Sequence, residues 1–516
     1  MENENGNKGG NWGPSIFFIA NLLNFVLATA VFTIPFPMYE VGMLLGTIIL
    51  AITCFISVIA CTFIIEALAM KNSIRKKESG ILKFAIDSEN ENEEDKLKEN
   101  LNPNNNDNNN ENNNDISGVT HFKESILDEE LNDDFYIKKR YEISKLAKLL
   151  PKPLYFFVVL TMIFYLYVGV TSNSIIAGNN LKDIIGKTFN TDLPEYSYQI
   201  IVSVFYFFVI TIALNNINNL KKFSMFIMIM RFLIIALIIG CCVYSIVKNG
   251  AAKFKDIPKF DLSNITVMIG NSLFVFMSHH SIPGMVENFT PQKNLVKILI
   301  LGYFFSFLFI SAYGYIALFS FSKPDLTCEK VFPCAIQATF SSNFLGLPVI
   351  GYIINYYPIL NVITSGMQLI TLRNNILDAI AGCSPSLSEQ LNFTQKEGCS
   401  SIFYNFIFNF FVAIPPIIIG LTLKNIQSLM KYFSSILGFL IMLIVPVVVV
   451  SRYRWYFNKR NYILGKLNQA FIKGVCGYVL VVILAVGIFS MIIFGFIKNI
   501  PAKTCVNEKV TFFDFL

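Results

Sequence analysis

Apolar runs of about 20 residues follow one another along most of the chain, each enough to cross a hydrocarbon core roughly 30 Å thick. Eleven such spans can be read: Ser15 to Met38, Met43 to Met70, Leu154 to Gly178, Tyr198 to Leu214, Phe223 to Val247, Thr266 to Val286, Leu295 to Phe321, Leu345 to Ile370, Ile402 to Leu421, Tyr432 to Val450 and Phe471 to Ile497. The pattern predicts an all-α polytopic membrane protein. It has a short tail over 1–14, helices 1–2 over 15–70, a long loop over 71–153, helices 3–11 over 154–497 and a second tail over 498–516. The first span lacks a basic start and a small-residue cleavage site, so it reads as a true span and not a signal peptide.

Two of these spans are interrupted in corresponding places. The first carries Ala28-Thr29-Ala30-Val31 and then Pro35 and Pro37. The sixth carries Ser278-His279-His280-Ser281 and then Pro283-Gly284. Hydrocarbon offers no partner to backbone freed by a break, so broken helices belong where protein or a water-lined cavity receives them. One such segment opening each half of a membrane protein points to a transporter's binding site.

Composition agrees with the hydropathy pattern. Of 516 residues, 54% are hydrophobic and 15% charged, and 50 are Phe, against roughly 25% charged in a soluble domain. The net charge of +6 forms no basic stripe on a soluble domain, which argues against nucleic-acid binding. Its placement carries more information. Lys71, Arg75, Lys76 and Lys77, then Lys138 to Lys152, then Lys221 and Lys222, then Arg452 to Lys473 fall on one side. The positive-inside rule makes that side, and the N-terminus, cytoplasmic, and an odd span count puts Leu516 outside or in a lumen. Lys248, Lys253, Lys255 and Lys259 run against the rule. The centre of the long loop, Asn100 to Asn114, is nearly all Asn and too polar to bury a core, so a disordered cytoplasmic loop is expected, either inert or a regulatory tether. The host membrane is a plasma membrane or a vacuolar or lysosomal one.

The 10 cysteines include no Cys-x-x-Cys pair, and no metal site is expected. Cys54, Cys61, Cys241, Cys242 and Cys476 read as small hydrophobes within spans. Cys328 and Cys334 share a loop expected outside, where they are either bridged or free, with Cys505 as a competing partner.

The break regions hold no Asp, Glu, Lys or Arg. A helix stopped within the membrane offers N–H groups to a carboxylate and carbonyls to an ammonium or a small cation. Two such ends at one depth suit the zwitterion of an α-amino acid. His279 and His280 are the histidines within spans; each is either a neutral imidazole satisfied by a freed carbonyl or a group that meets substrate or carries a proton. Arg231 is the deepest of the other ionisable residues. Thr364-Ser365-Gly366 offers hydroxyls that, with freed carbonyls, suit a small hard cation.

These residues resemble the amino acid/auxin permease family, which includes the sodium-coupled neutral amino acid transporters. The resemblance rests on Asn21-x-x-Asn24 with Ala28-Thr29-Ala30-Val31-Phe32 and Pro35-Phe36, on Gly42 after Glu40, on Phe274-Val-Phe276-Met-Ser278-His279, and on Thr364 nine residues before Arg373. It implies a LeuT-type fold: two inverted five-helix repeats plus an eleventh helix, working by alternating access. It also implies a substrate held by Ala28, Thr29, Ala30, Val31, Phe276, Met277, Ser278 and His279. A sodium ion would sit at Asn24, the first-helix carbonyls around Ala28, and Thr364. Ala28 and Ala30 stand where the family has glycines, Ser278 where it has cysteine, and His280-Ser281 where it has a proline–acid pair.

The expected activity is secondary active transport of amino acids, coupled to Na+ or to H+, by a monomer in contact with membrane lipid and without other cofactors. A sensor or transceptor and a facilitative uniporter on the same fold are the competing readings. No His-Glu-x-x-His, Gly-x-Ser-x-Gly or phosphate-binding loop supports an enzyme.

Overall fold

The helices follow from the apolar runs, and their boundaries follow from proline, glycine and charge. The computed structural model describes residues 13–100, 137–191, 193–194, 197–198, 200–201, 203–204, 217–287, 289, 292–322, 335–383, 399–423, 425–461 and 474–498. Among these no strand occurs, and seven helices are long and apolar enough to cross a membrane. The chain is thus an all-helical, polytopic membrane protein.

In order, the helices are α1 (Gly13–Thr33), α2 (Pro35–Val41), α3 (Met43–Asn100), α4 (Ile143–Leu146), α5 (Lys152–Phe189), α6 (Ile217–Asn249), α7 (Ile265–Val275) and α8 (Ile282–Glu287). Then come α9 (Leu295–Phe321), α10 (Ile350–Cys383), α11 (Cys399–Thr422), α12 (Ile426–Lys459) and α13 (Gly474–Lys498). The fourth expected span, Tyr198 to Leu214, lies mostly outside the described residues. The apolar part of α3 ends at Arg75, but its backbone stays helical to Asn100. The stretch after Arg75 is rich in Lys and Glu, which favour helix, and meets no proline before Pro103. The Asn-rich tract beyond it lies outside the described residues.

α7 sits at the centre. All its residues are buried except half-buried Phe274, as an all-apolar helix requires. It packs against α1, α2, α3, α12 and α13. Close approach needs small residues: Gly270 lies so near the Met430 carbonyl of α12 that a Cβ there would overlap it. That carbonyl begins a π-helical turn, Met430–Ser434, the first of two in α12; the second is Leu440–Ile444. α5 and α10 form the most extensive pairing, tied by Asn173 Nδ2 donating to Ser365 Oγ at 3.1 Å. Outward-facing Phe157, Phe304, Phe305, Ile483, Val486 and Phe494 are exposed, a surface suited to lipid and costly in water.

The two ends of the bundle differ. At one, Gly42 (φ +88°) lets the α2–α3 turn lie against the backbone of Lys259 and Phe260. Asp261 N donates to Val41 O at 2.7 Å and Met43 N to Pro258 O at 2.8 Å. At the other end the basic segments meet. Asn72 exchanges bonds with the Lys139 backbone at 2.9 and 3.1 Å. From α12, Arg452 Nε donates to Leu149 O at 3.0 Å and Tyr453 to Leu146 O at 3.2 Å. Just inside this basic end, Arg454 of α12 grips Glu66 of α3 through two bonds of 2.6 and 2.7 Å, and the Glu66 side chain is 1% exposed.

Candidate functional site

The α7–α8 break is a genuine interruption. The regular ladder stops with Phe276 N donating to Ser272 O at 3.1 Å and resumes with Ile282 N donating to Ser278 O at 3.1 Å. Phe276, Met277, Ser278 and His279 between them are all buried. Tyr303 of α9 organises this turn. Its hydroxyl lies 2.5 Å from Ser278 Oγ, 3.0 Å from Ser57 Oγ, 3.2 Å from Cys61 Sγ and 3.3 Å from the Phe276 carbonyl. Ser57 Oγ also lies 2.6 Å from that carbonyl. A freed carbonyl deep in the bundle is thus shared by two hydroxyls, as the absence of water demands.

His279 is 0% exposed. The Ser57 backbone lies beside its ring, but neither ring nitrogen makes a hydrogen bond of ordinary geometry. His280 is half-buried, with Phe25 edge-on at 6.2 Å and Tyr165 at 5.6 Å between ring centroids. Two polar rings therefore stand at the break with nitrogen atoms unsatisfied by protein, His280 through its Nδ1. Such burial is costly and marks a place where a polar ligand gains.

The first break falls later than the small residues suggest. Ala28, Thr29, Ala30 and Val31 are all helical, in the last turns of α1, and the interruption is at Ile34. Alanine favours helix where glycine would not. Pro35 and Pro37 instead remove two donors, freeing the carbonyls of Val31 and Thr33. Both are taken: Tyr313 of α9 donates to Val31 O at 2.8 Å, and Gln427 Nε2 reaches Thr33 O at 3.4 Å. Gln427 also donates to Ala338 O at 2.7 Å and accepts from Asn271 Nδ2 at 2.9 Å. One amide so joins α1, α7, α12 and the segment before α10.

Asn24, the expected cation ligand, is occupied by protein. Arg231 Nη1 of α6 donates to its main-chain oxygen and to its Oδ1, both at 2.6 Å. Arg231 Nε donates to Tyr357 Oη of α10 at 2.8 Å, and the Tyr357 ring stacks on Phe32 at 6.0 Å. Thr364 lies on α10, but its side chain is outside the described residues, as are Cys328 and Cys334 and the pairing considered for them. The described cysteines Cys54, Cys61, Cys241 and Cys242 are free thiols.

The structure packs α7 on α1 and α2 and sets His280, at the interruption, beside Phe25 in the middle of α1. Sequence reading missed Ser57, Tyr303, Tyr313, Gln427 and Glu66–Arg454 as partners. A polar side chain at membrane depth is the signal they share, because each hydroxyl, amide or charge there must find a partner.

Comparison with known proteins adds a family. The profile described as transmembrane amino acid transporter protein matches residues 132–494. The chain is 24% identical over 463 residues to a transmembrane protein 104 homolog of Dictyostelium discoideum, covering 85% of this chain and 87% of that one. A homolog from Drosophila melanogaster is 23% identical over 474 residues, with 85% and 87% covered. Transmembrane protein 104 of Homo sapiens is 19% identical over 476 residues, with 84% and 86% covered.

Proposed function

Because the chain belongs to the transmembrane amino acid transporter protein family, we propose that it carries an amino acid across its membrane by alternating access. The observation that carries this reading is the interruption at Phe276–Ser281. Uncharged backbone and the imidazoles of His279 and His280 stand there, with His280 beside Phe25 of α1. In this reading main-chain N–H groups and carbonyls of the interruption meet the carboxylate and the ammonium, the Phe276 carbonyl exchanging its Ser57 and Tyr303 hydroxyl partners for the substrate. Ser278 and His279 add a hydroxyl and a ring that can fix orientation, and half-buried Ala28 lets the α1 backbone come close. Paired breaks in the first and sixth spans support a LeuT-type arrangement with two inverted repeats. A small molecule crossing this bundle against its gradient needs a second gradient. His279 is the proton-carrying group in this reading, because it is the fully buried imidazole at the interruption.

The test is uptake of labelled amino acids into proteoliposomes holding the purified chain, scanned over substrates and over sodium and pH gradients. Saturable uptake, abolished by Ala28→Trp and lowered by His279→Ala, is expected. Binding without uptake at any gradient would replace the transporter with a sensor. Uptake that never exceeds equilibrium would replace it with a uniporter.

A further inference from the structure

Arg231 is the one charged residue of α6 that sits within the membrane-depth run and not near its end, and it is 5% exposed. A guanidinium in that position is expensive and persists only where it is fully engaged. Three neutral acceptors engage it here: the main-chain and amide oxygens of Asn24 at 2.6 Å and the Tyr357 hydroxyl at 2.8 Å. Two convergent oxygens on one helix, with a hydroxyl from another, form the kind of hard-oxygen cluster that binds a small cation. A covalently attached cation holds them instead.

We propose that Arg231 is the resident cation of the transport cycle, a positioning residue that does from within the chain what a mobile sodium ion would do from solution. This rests on the transporter reading. The guanidinium fixes α6 to α1 and α10 through the same oxygens a metal ion would gather. Its planar fork reaches both Asn24 oxygens through one nitrogen while Nε faces Tyr357, a geometry a lysine ammonium reproduces only in part. The charge cannot leave with the substrate, so transport owes nothing to sodium. The tie between α1 and its neighbours is renewed each cycle by side-chain motion, not by ion binding.

Two measurements on the full-length protein test this. The first is thermal unfolding in detergent in sodium chloride and in choline chloride at matched ionic strength. The intact protein should melt at the same temperature in both. Arg231→Ala should melt lower in choline and be raised by sodium, or by guanidinium, which can enter the vacated space. The second is uptake in proteoliposomes. Intact protein should be indifferent to the replacement of sodium by choline. Arg231→Ala should lose about ten-fold or more in choline, the scale of one charge-assisted hydrogen bond, with part restored by guanidinium on both sides. Arg231→Lys should keep more activity than Arg231→Ala.

A sodium-dependent melting shift or a sodium requirement in the intact protein overturns the proposal. So does a folded Arg231→Ala with undiminished uptake in choline. If Arg231→Ala does not fold, the sodium arms on the intact protein and on Arg231→Lys decide. If no amino acid moves in any condition, the transporter reading fails by itself, while the melting comparison still reports whether Arg231 fills a cation site.

Discussion

Tyr303 shows how much one hydroxyl can hold. It meets Ser57, Cys61, Ser278 and the Phe276 carbonyl within 3.3 Å, so the shape of the turn at the proposed site depends on it. Tyr303→Phe keeps the ring and removes the hub. The expected cost is about 1–3 kcal/mol of stability, because buried hydroxyls lose a partner. A larger fall is expected in uptake than in melting temperature, since the Phe276–His279 turn is what relaxes. Equal small losses in both would mean that the hub is only structural. At this scale the sequence was half legible. Ser278, His279 and Asn24 stood out as polar residues within apolar runs. Their partners did not, because a contact such as Arg231 to Asn24 joins residues 207 apart, and no spacing rule links them.

Helices α1 and α2 are separated by proline chemistry. The small residues Ala28 to Val31 were expected to unwind, and they stay helical because alanine pays no penalty there. The kink comes where Pro35 and Pro37 withhold two N–H groups. Pro35→Ala with Pro37→Ala should restore both donors, straighten the junction and leave Tyr313 and Gln427 competing with the helix for Val31 O and Thr33 O. We expect uptake to fall while the melting temperature holds or rises, measured on the same purified protein. Unchanged uptake would show that the kink is not needed for passage. The positions of the seven spanning helices among the described residues were readable because a bilayer sets helix length. The continuation of α3 to Asn100 was not, because bilayer thickness says nothing about where a polar extension of a helix ends.

At the scale of the whole molecule, Gln427 ties Thr33 O, Ala338 O and Asn271 together, joining α1, α7, α12 and the segment before α10. In the proposed alternating-access cycle this tie opens. Gln427→Ala should speed reaction of an impermeant thiol reagent with a cysteine placed by Ala338→Cys, read by mass spectrometry at that peptide. Labelling no faster than in Ala338→Cys alone would remove Gln427 from the gate. At the basic end, Glu66→Gln leaves Arg454 without its buried carboxylate and should cost about 3 kcal/mol, as breaking such pairs does. Glu66→Arg combined with Arg454→Glu should recover part of it. The gathering of Lys71, Lys139 and Arg452 on one face was foreshadowed by loop charge. The tie through Gln427 was not, because that residue lies ahead of the tenth apolar run, which opens at Tyr432, in what read as connecting chain.

The Glu66–Arg454 pair also sets a problem of timing for the ribosome. Its two members are 388 residues apart. At about 5–20 residues per second, the arginine is synthesised roughly 20–80 s after the glutamate. Through that interval α3 is already in the bilayer with a carboxylate whose partner does not yet exist. The nascent chain must therefore hold Glu66 in a wet or chaperoned place until the tenth span arrives. Ribosomes stalled before Arg454 should yield an α3 that is extracted from membranes more readily than the same helix in the finished protein.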